Sequence, residues 1–300
     1  MNAPRLLFAL SLQAAILSSA VAQGDNFDDG NSDGWTELLP LSTVGGTGSF
    51  SFPGGNTYRI QSGPSPNEEA LGQSRAGAIR EDVSYTDFYQ FVDVVDYDQA
   101  LDQNIGMLAR VKEPGLGTTD GYGVTYNPTD QAMFLTVITD EGGDNIADSD
   151  VFIDPGTPVR LVFQGVGSQL KFEVFLLSDL QNAVASIEID DSTYTSGFSG
   201  IFVVTDGGDP AKPTDCTFDN YFAATTEPFE FRIVGVEIVG GDVVIDFLSQ
   251  PGRVYSLWHS GDLQDWEEIR DDIEGALGSE TSVVTAKPDT DRHFFEIRLQ

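Results

Sequence analysis

The chain has almost no cysteine: Cys216 is the only one in 300 residues. A single thiol excludes an internal disulfide framework, so apolar burial, hydrogen bonds and any bound metal must hold the fold. Cys216 sits in Cys-Thr-Phe with no basic neighbour in sequence to stabilise a thiolate, and reads as a small buried apolar residue. Histidine is nearly as scarce. His259 and His293 are the only two, neither has a motif partner, and both read as surface or edge residues. The chain contains no His-Glu-x-x-His, so that metalloprotease arrangement is excluded. Positive charge is the third deficit. Fifteen Lys and Arg against 48 Asp and Glu give a formal net charge of −33. Such a surface repels nucleic acid and anionic membranes and leaves cations as its natural counter-species. Sustained helical periodicity is missing too. No run beyond residue 22 approaches the roughly 20 apolar residues that a bilayer span requires.

The first 22 residues form an address. Arg5 supplies positive charge, residues 6–17 are mostly apolar, and Ser18-Ser19-Ala20-Val21-Ala22 is a small-residue cleavage site before Gln23. This is the layout of a secretory signal peptide, too short in its apolar part for a comfortable span. No cysteine lies near the cut to take a lipid. The reading is an exported protein, periplasmic or extracellular, with no membrane insertion once the signal is removed.

What remains is rich in glycine (32 residues), aromatics and short β-prone runs. Strands are expected over 88–95, 105–111, 122–126, 133–139, 159–164, 170–177 and 200–205. Turn clusters separate them, among them Pro114-Gly115, Gly142-Gly143 and Asp154-Pro155-Gly156. Residues 178–189 read as a turn at 179–182 followed by a strand. Many short strands with turns at near-regular spacing indicate an all-β sandwich or jelly roll. A boundary falls at 225–230, around Thr225-Thr226-Glu227-Pro228, after which a fresh strand set begins: 231–239, 243–248, 254–259, 282–285 and 294–299. The organisation is therefore a signal peptide (1–22), a β-sandwich (23–226) and a small second β-sandwich (229–300).

Two stretches resemble known families. Asp25-Asn26-Phe27-Asp28-Asp29-Gly30-Asn31-Ser32-Asp33-Gly34-Trp35 opens the first and Thr217-Phe218-Asp219-Asn220-Tyr221-Phe222 closes it, with Gly106-Met107-Leu108-Ala109-Arg110-Val111 and Thr119-Asp120-Gly121-Tyr122 between. Together they resemble the laminin-G-like, concanavalin-A-like lectin and glucanase modules of secreted proteins. The resemblance implies a two-sheet jelly roll with its terminal strands side by side. It implies no single function, because the superfamily holds lectins, glycanases, carbohydrate-binding modules and adhesive domains. The second stretch, Tyr255-Ser256-Leu257-Trp258-His259-Ser260-Gly261-Asp262-Leu263-Gln264-Asp265-Trp266 with the aromatic final strand, is similar to a small C-terminal module of exported bacterial proteins.

Three kinds of site were sought. Asp29-Gly30-Asn31-Ser32-Asp33-Gly34 places oxygen ligands at alternate positions around glycines, as hard cations require. Calcium ligands are expected from Asp29, Asn31, Asp33, the carbonyl of Trp35, Glu37 and, from the closing strand, Asp219. Position twelve of the loop is Pro40, so it is no EF-hand. A second acidic stretch, Asp140, Asp144, Asn145, Asp148 and Asp150, reads as a solvated loop. For a glycan, Arg110 is expected opposite Tyr122 on a hairpin with Tyr126 further along, an arginine and aromatics able to contact a sugar ring. The competing reading packs the aromatics in the sandwich and pairs Arg110 with a carboxylate. For catalysis, the Glu-x-Asp-x-x-Glu strand of the superfamily's glycanases is absent: Glu188-Ile189-Asp190 begins one, but Thr193 stands at the sixth position.

The reading is an exported recognition or adhesion module, carbohydrate-binding and calcium-stabilised, with a glycan or cell-surface polymer as partner. The alternatives are a glycan hydrolase with an unfamiliar carboxylate pair and a purely structural envelope protein. Mass spectrometry of the exported protein should find Gln23 at the mature N-terminus. A chain that keeps Met1 would contradict the signal-peptide assignment.

Overall fold

The computed structural model describes residues 22–207, 212–227, 233–249, 254–275, 280–287 and 293–299. The expected signal peptide before residue 22 and the stretch 228–232 at the expected boundary lie outside them. The described residues are 63% strand and 5% helix, an all-β fold. The chain divides into two compact units, with the division between residues 227 and 228.

The larger unit contains β1 (Gln23–Asp25), β2 (Thr36–Leu38), β3 (Gly48–Ser51), β4 (Tyr58–Ser62), β5 (Arg75–Tyr85), β6 (Phe88–Tyr97), β7 (Gln103–Lys112) and β8 (Asp120–Asn127). It continues with β9 (Ala132–Thr139), β10 (Gly142–Asp150), β11 (Val159–Val166), β12 (Gln169–Leu176), β13 (Asp179–Asp190), β14 (Gly197–Thr205) and β15 (Thr214–Ala224). One sheet runs β13-β12-β11-β6-β15-β4-β3, with β1 paired to β15; the other runs β10-β9-β8-β7-β14-β5-β2. The core between them is built by alternation: Val92, Phe163, Phe172 and Phe218 from the first sheet meet Met107, Tyr126, Leu135 and Ile201 from the second. The opening and closing strands lie side by side, Gly24 opposite Phe222.

The smaller unit has two three-stranded sheets. They are formed by β16 (Ile233–Val239), β17 (Asp242–Leu248) and β20 (Glu280–Ala286), and by β18 (Val254–Ser260), β19 (Glu267–Glu274) and β21 (Phe294–Leu299). Its core includes Ile245, Phe247, Tyr255, Leu257 and Val283. The Ser260 hydroxyl accepts from Leu263 N at 2.8 Å and Asp262 Oδ1 from Gln264 N at 2.9 Å, closing the turn after β18.

Several expectations are corrected. The stretch 142–150 is an edge strand, not a loop: β10 pairs with β9 along its length, and its acidic side chains are exposed because only one edge is covered. The turn before β13 lies at residues 177–178, so 179–182 already belong to the strand. Strands β5 and β19 were unforeseen because their charged residues interrupt the apolar alternation. His259 and His293 are buried, their rings 5.7 Å apart. Cys216 is fully buried, and burial pushes its thiol pKa up, as expected of an inert residue.

The feature that organises one end of the large unit is a bulge in β7. The register slips against both neighbours there, between Ala109 and Lys112 facing β8 and between Phe198 and Gly200 facing β14. Arg110 adopts φ 51°, and its side chain turns inward beside that of Ala109 instead of alternating outward. Glycines make room: a Cβ at Gly197 would stand 2.2 Å from the Arg110 carbonyl carbon, and one at Gly121 3.1 Å from Val111 Cα. The guanidinium, 1% exposed, donates to Thr86 O from Nε (3.0 Å) and Nη2 (2.8 Å), to Gly167 O from Nη2 (2.8 Å) and to Tyr194 O from Nη1 (2.8 Å). Replacing Arg110 with Met should orphan these three carbonyls and cost about 3 kcal/mol or more in urea unfolding. Arg110→Lys, which keeps the charge but not the planar fork, should recover only a minor part. A cost below about 1 kcal/mol would show that the clamp is dispensable.

Candidate functional site

The outward face of the seven-stranded sheet is unusually apolar. Ile79, Leu108 and Val111 are buried on it, and Leu38, Ile138, Phe198 and Phe202 pack against them. A cavity of about 490 Å³ opens over this face.

Phe202 on β14 lies at its centre. Its cross-strand partners are both glycines, Gly77 on β5 and Gly106 on β7. Its ring tip Cζ lies 3.4 Å from the Cβ position of Gly123, which is on β8, two strands away. The side chain therefore lies across β7 along the sheet surface, instead of standing off it. Side chains at these glycines would lift it: a Cβ on Gly77 would come within 3.0 Å of Phe202 Cβ. The ring is half-buried and lines the cavity. Phe134 on β9 is a second half-buried aromatic in the same lining.

Polar groups surround this apolar floor. Thr125, Thr136 and Asn104 rise from the strands, and Asp144 and Asn145 stand exposed along the β10 wall. Thr136 Oγ1 donates to Asn145 Oδ1 at 2.6 Å. At one side Arg75 Nε meets Glu141 Oε1 at 2.6 Å, while Arg75 Nη1 donates to Leu71 O and Gln73 O. The other oxygen of Glu141 accepts from Gly117 N at 2.7 Å. With both oxygens engaged, Glu141 is a fixed wall element and not a free acid or base. The arrangement suits a ligand with an apolar face to lay on Phe202 and polar edges to meet the rim. A second hollow, about 670 Å³, is walled by β2, the short 3-10 turn that follows it, β3 and the turn at Gly115 and Leu116.

No family model and no curated protein matches the chain. Solved structures of similar fold include carbohydrate-binding module CBM66 from Bacillus subtilis, at 17% identity over 65% of this chain and 97% of that one, TM-score 0.46. Basic winged bean lectin with Tn-antigen matches at 12% identity over 69% of this chain and 99% of its own, TM-score 0.47. A prokaryotic β-1,3-1,4-glucanase (lichenase) from a mouse hindgut metagenome matches at 13% identity over 68% and 99%, TM-score 0.49.

The residues expected to contact a glycan do not line this cavity. Arg110 and Tyr122 are not cross-strand partners, since the bulge sets Ala109 opposite Tyr122. All three of Arg110, Tyr122 and Tyr126 are enclosed. Tyr122 OH bonds Asp191 and accepts from Tyr194 N at 3.1 Å; burial, with the Asp191 bond, raises its pKa. Aromatic packing in the core was the competing expectation, but Arg110 takes carbonyls instead of a carboxylate.

The expected calcium loop is closed on itself. Asp29 Oδ1 accepts from Asn31 N at 3.2 Å and Asn31 Oδ1 from Asp33 N at 2.8 Å. Trp35 is buried with its indole N–H on Asp25 Oδ2 at 2.8 Å. Glu37 accepts from Ser32 Oγ at 3.2 Å and from Tyr58 OH at 3.4 Å. Asp219 caps Asn220 N at 2.7 Å; partial burial, with Asp93 and Asp28 nearby, raises its pKa. Among the described residues, no three of the carboxylates of Asp29, Asp33, Glu37 and Asp219 converge on one point.

The groove itself escaped sequence reading. Its signal is glycine at matched positions of adjacent strands, visible only once register is known. Tyr126 offers a direct check on the reassignment, because its hydroxyl is buried without a hydrogen-bond partner among the described residues. Tyr126→Phe should leave the melting temperature unchanged or raise it, by up to about 1 kcal/mol of stability, and should not alter ligand binding. A destabilisation of that size would show that the hydroxyl is satisfied.

Proposed function

We propose that the large unit is a carbohydrate-recognition module of an exported protein, and that it takes a sugar chain along the outward face of the seven-stranded sheet with one ring on Phe202. The observation that carries this is the Phe202 side chain reaching across Gly106 until its ring tip meets Gly123, with Phe134 in the same lining. A pyranose has an apolar face of C–H groups and a polar edge of hydroxyls. It matches a flat aromatic flanked by Thr125, Thr136, Asn104, Asn145 and Asp144. The charge of −33 narrows the ligand class. Polymers bearing sulfate or uronate would meet like charge, so neutral glycans are favoured.

Glu141 is held on both oxygens by Arg75 and Gly117, and Asp144 and Asp206 are the other acids of the lining; the hydrolase alternative, which needs two carboxylates facing each other across the sugar, is separated from binding by assay. A glycan array followed by calorimetry with the best neutral oligosaccharide tests the proposal. Phe202→Ala should weaken binding at least tenfold, about 1.4 kcal/mol; because the side chain also packs against Ile79, Leu108 and Val111, the melting temperature should fall as well, and affinity is compared at a temperature where the variant is fully folded. Undiminished binding in Phe202→Ala and Phe134→Ala would move the ligand elsewhere. Release of reducing sugar would favour the hydrolase alternative.

A further inference from the structure

The small unit holds both histidines of the chain, and the fold buries them together. Along β18, Tyr255, Leu257 and His259 alternate onto one face, the first two within the small core. His293 stands immediately before β21 and is 5% exposed, against 8% for His259. The two rings lie 5.7 Å apart, and both lie against Phe295 of β21, at 5.3 Å from His259 and 6.5 Å from His293. Phe295 itself packs on the small core, so the histidines extend that core with groups able to take a charge.

Protonation is costly here on geometric grounds. A neutral imidazole has one N–H and one bare acceptor nitrogen, whereas an imidazolium has two N–H donors. His259 Nε2 is buried with no hydrogen-bond partner among the described residues. Once protonated it would be a charged, buried donor with nothing to receive it. Two imidazolium rings at this separation would also repel each other. The surrounding charges do not remove the cost. Glu267 stands opposite His259 in the β18–β19 ladder, but it is exposed. Lys287, after β20, has the same sign as an imidazolium. Glu296 of β21 is paired with Arg298 at 2.8 Å, and Asp262, in the turn after β18, accepts from Gln264 N and Asp265 N. Burial first and His293 second hold the His259 imidazole below its ordinary value, against the pull of Glu267. Burial first and Lys287 second do the same to His293.

We propose that His259 and His293 form an acid-sensitive latch of the small unit: neutral, they pack with Phe295 and extend its core, and protonated, they repel and loosen the small unit while the large unit stays folded. The direction follows from linkage. A histidine that holds its proton less tightly in the folded state contributes stability that is complete above its ordinary value of 6.5. That stability is lost as the pH falls through the lowered folded value. The large unit contains no histidine and has no matching group. The rest of the chain works in the opposite sense, because at a net charge of −33 proton uptake relieves repulsion and favours the compact state. A loss of stability on mild acidification is therefore the signature of the pair. The latch is independent of the glycan reading, which concerns the large unit.

The test is urea unfolding of the exported chain between about pH 7.5 and about pH 5.5, a range in which ordinary carboxylates stay charged. Two-dimensional NMR reads each unit from its own resonances. The unfolding equilibrium constant of the small unit should rise at least about fivefold over this range, and that of the large unit should not rise. His259→Phe removes one titrating ring beside Phe295 and should reduce the pH dependence by half or more. Adding His293→Phe should abolish it. If these variants fail to fold, the wild-type rings decide the matter: as the chain has only two histidines, their Cε1–H signals are read directly, and both should titrate below 6.5 in the folded protein. Ring signals that titrate at or above that value would overturn the latch. So would a small unit whose stability holds or rises over the range, or a double variant that keeps the wild-type pH dependence.

Discussion

The large unit depends on a buried guanidinium that has no carboxylate partner among the described residues. Arg110 is enclosed and bonded to backbone carbonyls, one from each of three connections: β5–β6, β11–β12 and β13–β14. Those connections carry chain from both sheets, so one side chain ties the end of the sandwich across its two layers. Phe88 and Tyr122 lie 5.3 and 6.0 Å from the guanidinium carbon and supply ring faces where a carboxylate would otherwise be needed. Carbonyl dipoles suffice because the fork is planar and meets three acceptors at once. Such a charge is costly to bury without all of them, which makes the arrangement all-or-none and fixes the three turns together.

The same strand connects this clamp to the groove. Along β7, Arg110 turns inward at one end, Gly106 lies beneath Phe202 in the middle, and Asn104 stands beside Asp206 at the other end. The bulge at Ala109 and Arg110 points two successive side chains inward and restores Val111 to the outer face next to Leu108. Without it, alternation would place Val111 in the core and break the outer apolar patch. The surface that holds Phe202 is thus set by the constraint that closes the sandwich, and the glycines at 77, 106 and 123 are a consequence of register across β5, β7 and β8.

How much of this was legible in the sequence follows from which interactions are local. The strands 105–111, 122–126 and 133–139 were readable because apolar residues alternate and glycine or proline ends each run. The acidic edge strand β10 was not, since a strand covered on one side needs no apolar alternation and its carboxylates look like a loop. The Arg110 hairpin was placed nearly correctly, but its pairing assumed an unbroken ladder, and a one-residue bulge reverses the side on which the arginine emerges. The groove and the carboxylate triad were illegible for a different reason. Asp102, Asp130 and Asp206 are far apart in sequence, and their carboxylate oxygens come within 4.8 Å of one another only through the β14–β7–β8 pairing.

The contrast between the two acidic constellations shows why spacing alone misleads. In the D-x-N-x-D-G loop each acceptor is two residues from a backbone N–H that it can reach, and the carboxylate and amide oxygens close their own turns. A loop braced in this way has its shape set by its own sequence. The triad is the opposite case. Its geometry is imposed from outside by three strands and by Asn127, whose Nδ2 donates to Asp102 Oδ1 and Asp130 Oδ2, so its members cannot separate to relieve their repulsion. In a chain with 48 acidic residues most carboxylates are solvated and mutually indifferent. The informative ones are those that the fold, and not the local sequence, brings together.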